Sequence, residues 1–285
     1  MDSRTGFRRR GHAFLADEAR RTLGVGSEIH SLAEVPIPLV HTAFGAAVCG
    51  IAVLLRPEAL GLRNSAIADA SLALLTAIVI VTYDRLVYPR DRRPGLDAVA
   101  LPVAAVGAFG TVLAGVTPIS VRIAAGIVAA LVIGGAPQLA MRRAAQTEGG
   151  STRLLRDIAG VALLAPVMVA GTSAALDAQW RWGLVGVLTT LVTVDALRTD
   201  GVPAGRAGFF ALLIGALQAG VASLVGPGSV SAQLGVRAAM LLVVWYGLRG
   251  VAGTLAVRRG RPALVVLEYA AFVCLALGAL RWLVP

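Results

Sequence analysis

Two short stretches of this sequence carry the residue types that bind metal and phosphate. The first runs Tyr83-Asp84-Arg85-Leu86-Val87-Tyr88-Pro89-Arg90-Asp91-Arg92-Arg93-Pro94-Gly95, and the second runs from Asp195 through Arg198, Asp200 and Pro203 to Arg206. Hard divalent cations take carboxylate oxygens and share their remaining positions with substrate phosphates. Guanidinium groups clamp phosphate oxygens bidentately. Asp84, Asp91, Asp195 and Asp200, with Arg85 and Arg93 beside them, therefore have the makings of a Mg2+-diphosphate site, in which metal and guanidinium stabilise charge building on a leaving diphosphate. The same residues allow a plainer reading, in which each Asp is an interfacial carboxylate paired with a nearby Arg. Asp195 and Asp200 are five residues apart, about 140° around a helix, so their joint chelation of one ion requires the segment to unwind.

The elements that must position these residues are helices in lipid. Of 285 residues, 57% are hydrophobic and 15% charged, with a mean hydropathy of +0.78; soluble domains carry about 45–50% and about 25%. That balance excludes a disordered chain, a coiled coil and a cytosolic α/β enzyme. In lipid every backbone N–H and C=O must be satisfied within helices or a closed barrel, and the apolar runs here far exceed the roughly ten alternating residues of a barrel strand. A window of about 19 residues predicts nine spans: Ile37 to Leu55, Ala66 to Tyr83, Ala98 to Val116, Ile119 to Met141, Ile158 to Leu176, Trp180 to Val194, Ala207 to Val225, Val230 to Leu248 and Leu264 to Val284. Gly107, Gly110 and Gly115 are expected on one side of the third, a sign of close helix packing.

The formal charge of +10 comes from 26 basic residues, all Arg, against 16 acidic ones. Nucleic-acid binders cluster such charge on a soluble face; here arginines punctuate apolar stretches, so no nucleic-acid partner is expected. Twenty of the 26 fall on alternate connections and in the N-terminal segment, leaving Arg56, Arg63, Arg122, Arg181, Arg237 and Arg281 on the other side. Cytoplasmic loops retain positive charge, so the expected topology is a multi-pass protein of the plasma membrane with its N-terminus in the cytoplasm and its C-terminus outside. Residues 1–36 then form a cytoplasmic Arg-rich segment and residues 37–285 the transmembrane domain. No short apolar stretch with a small-residue cleavage site opens the chain, so no cleaved signal peptide is expected. His12 to Leu23 is either an interfacial helix or part of a disordered tail. Cys49 and Cys274 lie in apolar runs and offer neither a disulfide framework nor a metal site.

Ionisable groups inside spans are functional hypotheses by default. Asp69 either lines an internal cavity or sits near the outer interface, while His41 and Glu268 lie near the starts of their spans, within reach of the interface. Were the protein a small transporter, these three would be its carriers.

From Asp84 onward the first stretch resembles the opening motif of the UbiA superfamily of membrane prenyltransferases, NDxxDxxxD followed by RP. Tyr83 stands for the Asn, Asp84 and Asp91 match the first and third Asp, Val87 replaces the second, and Arg93-Pro94 resembles the RP. The second stretch is similar to the family's other Asp-rich motif, with Ala204-Gly205-Arg206 in place of its small, Gly and basic stretch. Met141-Arg142-Arg143 lies where the family often has a Lys-Arg pair. The resemblance implies an all-α bundle of nine transmembrane helices that transfers an isoprenyl group from its diphosphate to an aromatic or lipid acceptor. It further implies Mg2+ at Asp84, Asp91, Asp195 and Asp200, with Arg142, Arg143, Arg93 and Arg85 on the diphosphate. Val87 in place of the second Asp and the five-residue spacing keep a second reading open: the same fold binding an isoprenoid or a partner protein without catalysis.

Overall fold

The computed structural model describes residues 39–87, 95–115, 118–144, 150–173, 177–227, 231–257 and 262–282. The N-terminal segment 1–36 and the interfacial helix at His12 to Leu23 lie outside them. Among the described residues the chain is all-helical. The long helices are α1 (Leu39–Leu54), α2 (Leu62–Val87), α3 (Ala100–Ala114), α4 (Ile119–Ala144), α5 (Gly150–Gly171), α6 (Ala178–Thr199), α7 (Ala204–Val225), α8 (Ser231–Val257) and α9 (Pro262–Trp282). A single helical turn, Pro57–Leu60, joins α1 to α2, and a 3-10 turn, Leu96–Val99, leads into α3.

Each expected apolar stretch is helical, but the helices differ in what surrounds them. Six are long and apolar enough to cross a membrane: α2, α4, α5, α7, α8 and α9. With large apolar side chains such as Leu74, Ile78, Ile127, Leu212 and Leu275 facing outward, they mark the chain as a multi-pass membrane protein, since lipid is the solvent that tolerates such a surface. The other three fall short for two reasons. α1 and α3, at 16 and 15 residues, reach only roughly 22–24 Å against a hydrocarbon core of about 30 Å. α6 is long enough but carries Arg181, Asp195 and Arg198.

α3 and α6 are the interior helices. α3 buries 11 of its 15 residues and packs against α2, α4, α5 and α6. In α6 the buried set includes Arg181, Thr189, Thr193, Asp195 and Thr199, so its polar residues look into the protein rather than into lipid, where each would be costly. α9 is the opposite case: its apolar window buries none of its residues, and it lies against α8, where Gly247 and Gly250 leave room for Val273 and Tyr269.

Glycine sets two of the closest approaches. A methyl built on Gly45 of α1 would lie 2.6 Å from the Ala130 carbonyl oxygen of α4, and one on Gly215 of α7 would lie 2.5 Å from the Gly186 carbonyl oxygen of α6. Such small-residue contacts let backbones touch where lipid supplies no hydrophobic drive to association. The expected glycine face of the third span resolves differently: Gly107 is set against Leu188 of α6 and Gly110 against Asp69 of α2. The two residues lie about 60° apart on the helix and serve two neighbours. Gly115 lies beyond the helix as its C-cap. Asp69 thus sits in the α2–α3 contact.

Candidate functional site

One group of charged side chains lies in the interior, where the first turns of α5 meet the last turns of α6 and α8. Arg156 of α5 donates from Nη1 to Asp195 Oδ1 of α6 at 2.6 Å, with the two side chains 1% and 5% exposed. The same nitrogen reaches Thr199 Oγ1 at 3.3 Å, and that hydroxyl donates to the Asp195 carbonyl at 2.9 Å. Asp195 and Thr199 are four apart, which brings both to one helix face under the guanidinium.

Arg249 of α8 makes a second, shallower set of bonds. It pairs with Asp157 Oδ1 at 2.7 Å and with Asp200 Oδ2 at 3.4 Å, both from carboxylates about 40% exposed. Its guanidinium carbon lies 5.9 Å from the centroid of the Trp245 ring, one turn back on α8. Trp245 is buried, and its Nε1 donates to Thr193 Oγ1 at 2.9 Å. Gly160 of α5 makes room for Val192 beside this ring: a methyl there would stand 3.1 Å from Val192 and at an ordinary 3.9 Å from Trp245. Asp200 caps α6, just beyond its last helical residue. Burial raises its carboxyl above the ordinary value, and the negative Asp157 adds to this, while Arg249 and Arg153 oppose it.

Arg156, Asp157, Asp195, Trp245 and Arg249, with Leu101 at the start of α3 and Gly160, Val192 and Ala196, line a crevice too narrow to admit a water molecule. Small-molecule sites occupy roughly 300–1,000 Å3, so any ligand must open this one. The turn Leu96–Val99, which returns from the loop after Asp84, packs against α2, α4 and α6. The start of α3 therefore lies beside the Asp195 end of α6, and Leu101 accordingly shares the crevice wall with Asp195.

The individual residues named from the sequence fare differently. Asp84 is in the last turn of α2, 5% exposed, and its Oδ1 has no hydrogen-bond partner among the described residues. It is not part of the crevice lining. Arg85 follows it on an exposed position. Asp91 and Arg93 lie outside the described residues. Arg142 and Arg143 fall in the last turn of α4, with side chains outside the described set. Asp195 and Asp200 join the crevice region through different arginines, not through each other. Glu268 is exposed on α9. His41 is buried in the protein, edge-on to Tyr83 with ring centroids 4.5 Å apart.

Mg2+ requires carboxylate oxygens turned toward a common point. Among the described residues no three His, Cys, Asp or Glu side chains gather in that way, and the carboxylates of Asp195 and Asp200 are engaged by guanidinium groups. The described part of the donor set does not fit the ion. Arg156, Asp157, Trp245 and Arg249 were not singled out from the sequence, because their charges read as loop residues flanking the spans. The available signal was spacing: Trp245 and Arg249 stand four apart, as do Arg156 and Gly160, and each pair marks one face of a helix that continues past its apolar window.

No family model, curated protein or solved structure matches this chain.

Proposed function

We propose that the protein is a nine-span membrane protein of the UbiA type, with its N-terminus in the cytoplasm, which holds an isoprenyl diphosphate at the cytoplasmic end of α5, α6 and α8. The observation that carries this reading is the buried Arg156–Asp195 pair beside Arg249 and Trp245; the alternation of Arg-rich connections in the sequence supports placing that end in the cytoplasm. Charge buried at that depth is costly and marks a functional position by default. Arginine and Trp together suit a ligand with a phosphorylated head and an apolar tail. α3 and α6 count as spans in this reading because their neighbours, not lipid, surround much of them; α1 counts as one by its apolar composition and its outward-facing Ile51, Val53 and Leu54.

Binding without Mg2+-dependent transfer is the form of this function that the carboxylates support, since those of Asp195 and Asp200 are neutralised by arginine. Prenyl transfer to an aromatic or lipid acceptor is the second reading, and the buried Asp84 Oδ1, with no described partner, favours it. The test is the purified protein in nanodiscs, assayed for isoprenyl diphosphate binding and for release of diphosphate with an aromatic acceptor. Saturable binding without turnover supports the first reading; turnover lost in Asp84→Ala supports the second; no binding rejects both. Topology has its own check: a reporter fused after Pro285 reads as extracytoplasmic, and a cytoplasmic signal rejects nine spans with the N-terminus inside.

A further inference from the structure

The two arginines of the crevice are held in very different ways. Arg156 and Asp195 are both almost fully buried and joined at 2.6 Å. Parting two charges enclosed by helices is costly, so this pair is a fixed part of the protein. Arg249 is itself 9% exposed, yet its partners Asp157 and Asp200 are 42% and 40% exposed, and the second bond is long at 3.4 Å. Those carboxylates can turn into water, and pairs of that exposure contribute only about 0.2–1 kcal/mol. The guanidinium itself stays in place when they leave, because Trp245 supports its flat face and Thr193 pins the indole.

Arg249 also bridges Asp157 on α5 and Asp200 at the end of α6 from its own place on α8, across a crevice lined by Arg156, Asp195 and Trp245. Any ligand must open this crevice, which has no room for a water molecule, and the Arg249 bonds are the more exposed of the ion pairs that span it. A phosphate group offers the guanidinium the same planar pair of oxygens that a carboxylate does. The local charges also balance without a metal: Asp195 is matched by Arg156, and Asp157 and Asp200 by Arg249 and by Arg153, whose charge reaches Asp200.

We propose that Arg249 is the exchangeable anion-binding residue of this crevice, passing from Asp157 and Asp200 to the phosphate oxygens of the ligand, and that this recognition needs no divalent cation. The inference rests on the reading that the ligand is an isoprenyl diphosphate. It adds the residue that recognises the head group and the absence of a metal requirement.

The experiment is calorimetric titration of the full chain in nanodiscs of neutral lipid with geranylgeranyl diphosphate, and separately with inorganic pyrophosphate. Each is run in EDTA and in Mg2+, on the unmodified protein and on Arg249→Gln, Arg249→Lys and Asp157→Asn. The expected results are equal affinity in EDTA and Mg2+, and a loss of about tenfold or more in Arg249→Gln that Arg249→Lys partly restores. Asp157→Asn should bind about two- to fivefold more tightly, a gain that misfolding cannot produce. Matching effects on pyrophosphate place the contact at the head group; effects confined to the prenylated ligand reject that assignment. Binding that requires Mg2+, or that is the same in Arg249→Gln and Asp157→Asn as in the unmodified protein, overturns the inference while leaving the isoprenoid reading standing. Absence of binding in every form, including Asp157→Asn, overturns both.

Discussion

At one end of the helices Glu58 joins Arg56 and Arg122 at 3.2–3.3 Å; at the other Asp195 joins Arg156 at 2.6 Å. Both link residues on different elements, yet Glu58 is 55% exposed and Asp195 is buried. The difference follows from which helices meet there. The Glu58 group lies on the short turn after α1 and at the start of α4, where few elements cover it. The Asp195 group lies between α5 and α6, with α3 and α8 also at the crevice. An ion pair in water is screened and contributes little, whereas one held among helices is committed, because neither partner can be removed without isolating the other.

The largest expected effect tests that commitment. Arg156→Met removes the guanidinium bonded to the buried Asp195 carboxylate at 2.6 Å and should cost about 3–5 kcal/mol, read as a shift in the unfolding midpoint in mixed detergent. Arg156→Met with Asp195→Leu removes both charges and should recover most of the loss. If the single variant unfolds like the parent, the pair is not buried as described.

A second variant asks whether α6 is held in place by backbone contact. In Gly215→Leu the new side chain meets the Gly186 carbonyl and the Thr190 hydroxyl, which should cost about 1–3 kcal/mol. Gly220→Ala, which meets nothing within 4 Å, should be neutral or stabilising by up to about 1 kcal/mol. Equal behaviour of the two variants would contradict close packing of α6 on α7.

How much of this was legible beforehand depends on the kind of residue. Long apolar windows gave the helices, because burial in lipid demands them whatever their neighbours are. Helix ends were the weak point. The eighth span was expected to stop at Leu248 and the fifth to begin at Ile158, since Arg249 and the Arg156-Asp157 pair break the apolar pattern. The helices instead run on to Val257 and begin at Gly150. Hydropathy sees a charge as the edge of a span, but a charge facing another helix with a partner is satisfied inside the bundle. The five-residue spacing of Asp195 and Asp200, read as hostile to a shared ion, agrees with their having separate arginine partners. What no single-chain pattern contained was which Arg meets which Asp, since each contact joins residues 39 to 92 apart in sequence.

A smaller effect is expected beneath the crevice. Trp245→Phe keeps a ring under Arg249 and removes the donor to Thr193. The cost should be about 0.5–1.5 kcal/mol, and Trp245→Phe with Thr193→Val should cost less than the two single changes added together. Strict additivity would mean that the bond contributes nothing.

The smallest effect belongs to the exposed end. Glu58→Gln removes the carboxylate shared by Arg56 and Arg122 but keeps a polar side chain of the same shape, and both arginines remain in reach of water, with Arg122 also donating to the Gly115 carbonyl at 3.3 Å. No charge is left buried, so the loss should stay within about 0–1 kcal/mol and shrink as salt is raised over a range that shortens the Debye length from about 10 Å toward 3 Å. The Arg156→Met penalty should change far less over the same range, because counterions cannot approach a pair enclosed by helices. Unfolding midpoints of both variants against salt concentration therefore separate the two ends directly. Parallel salt dependence would mean that solvent reaches Asp195 as freely as Glu58, and the buried pair could then no longer be treated as a fixed part of the crevice.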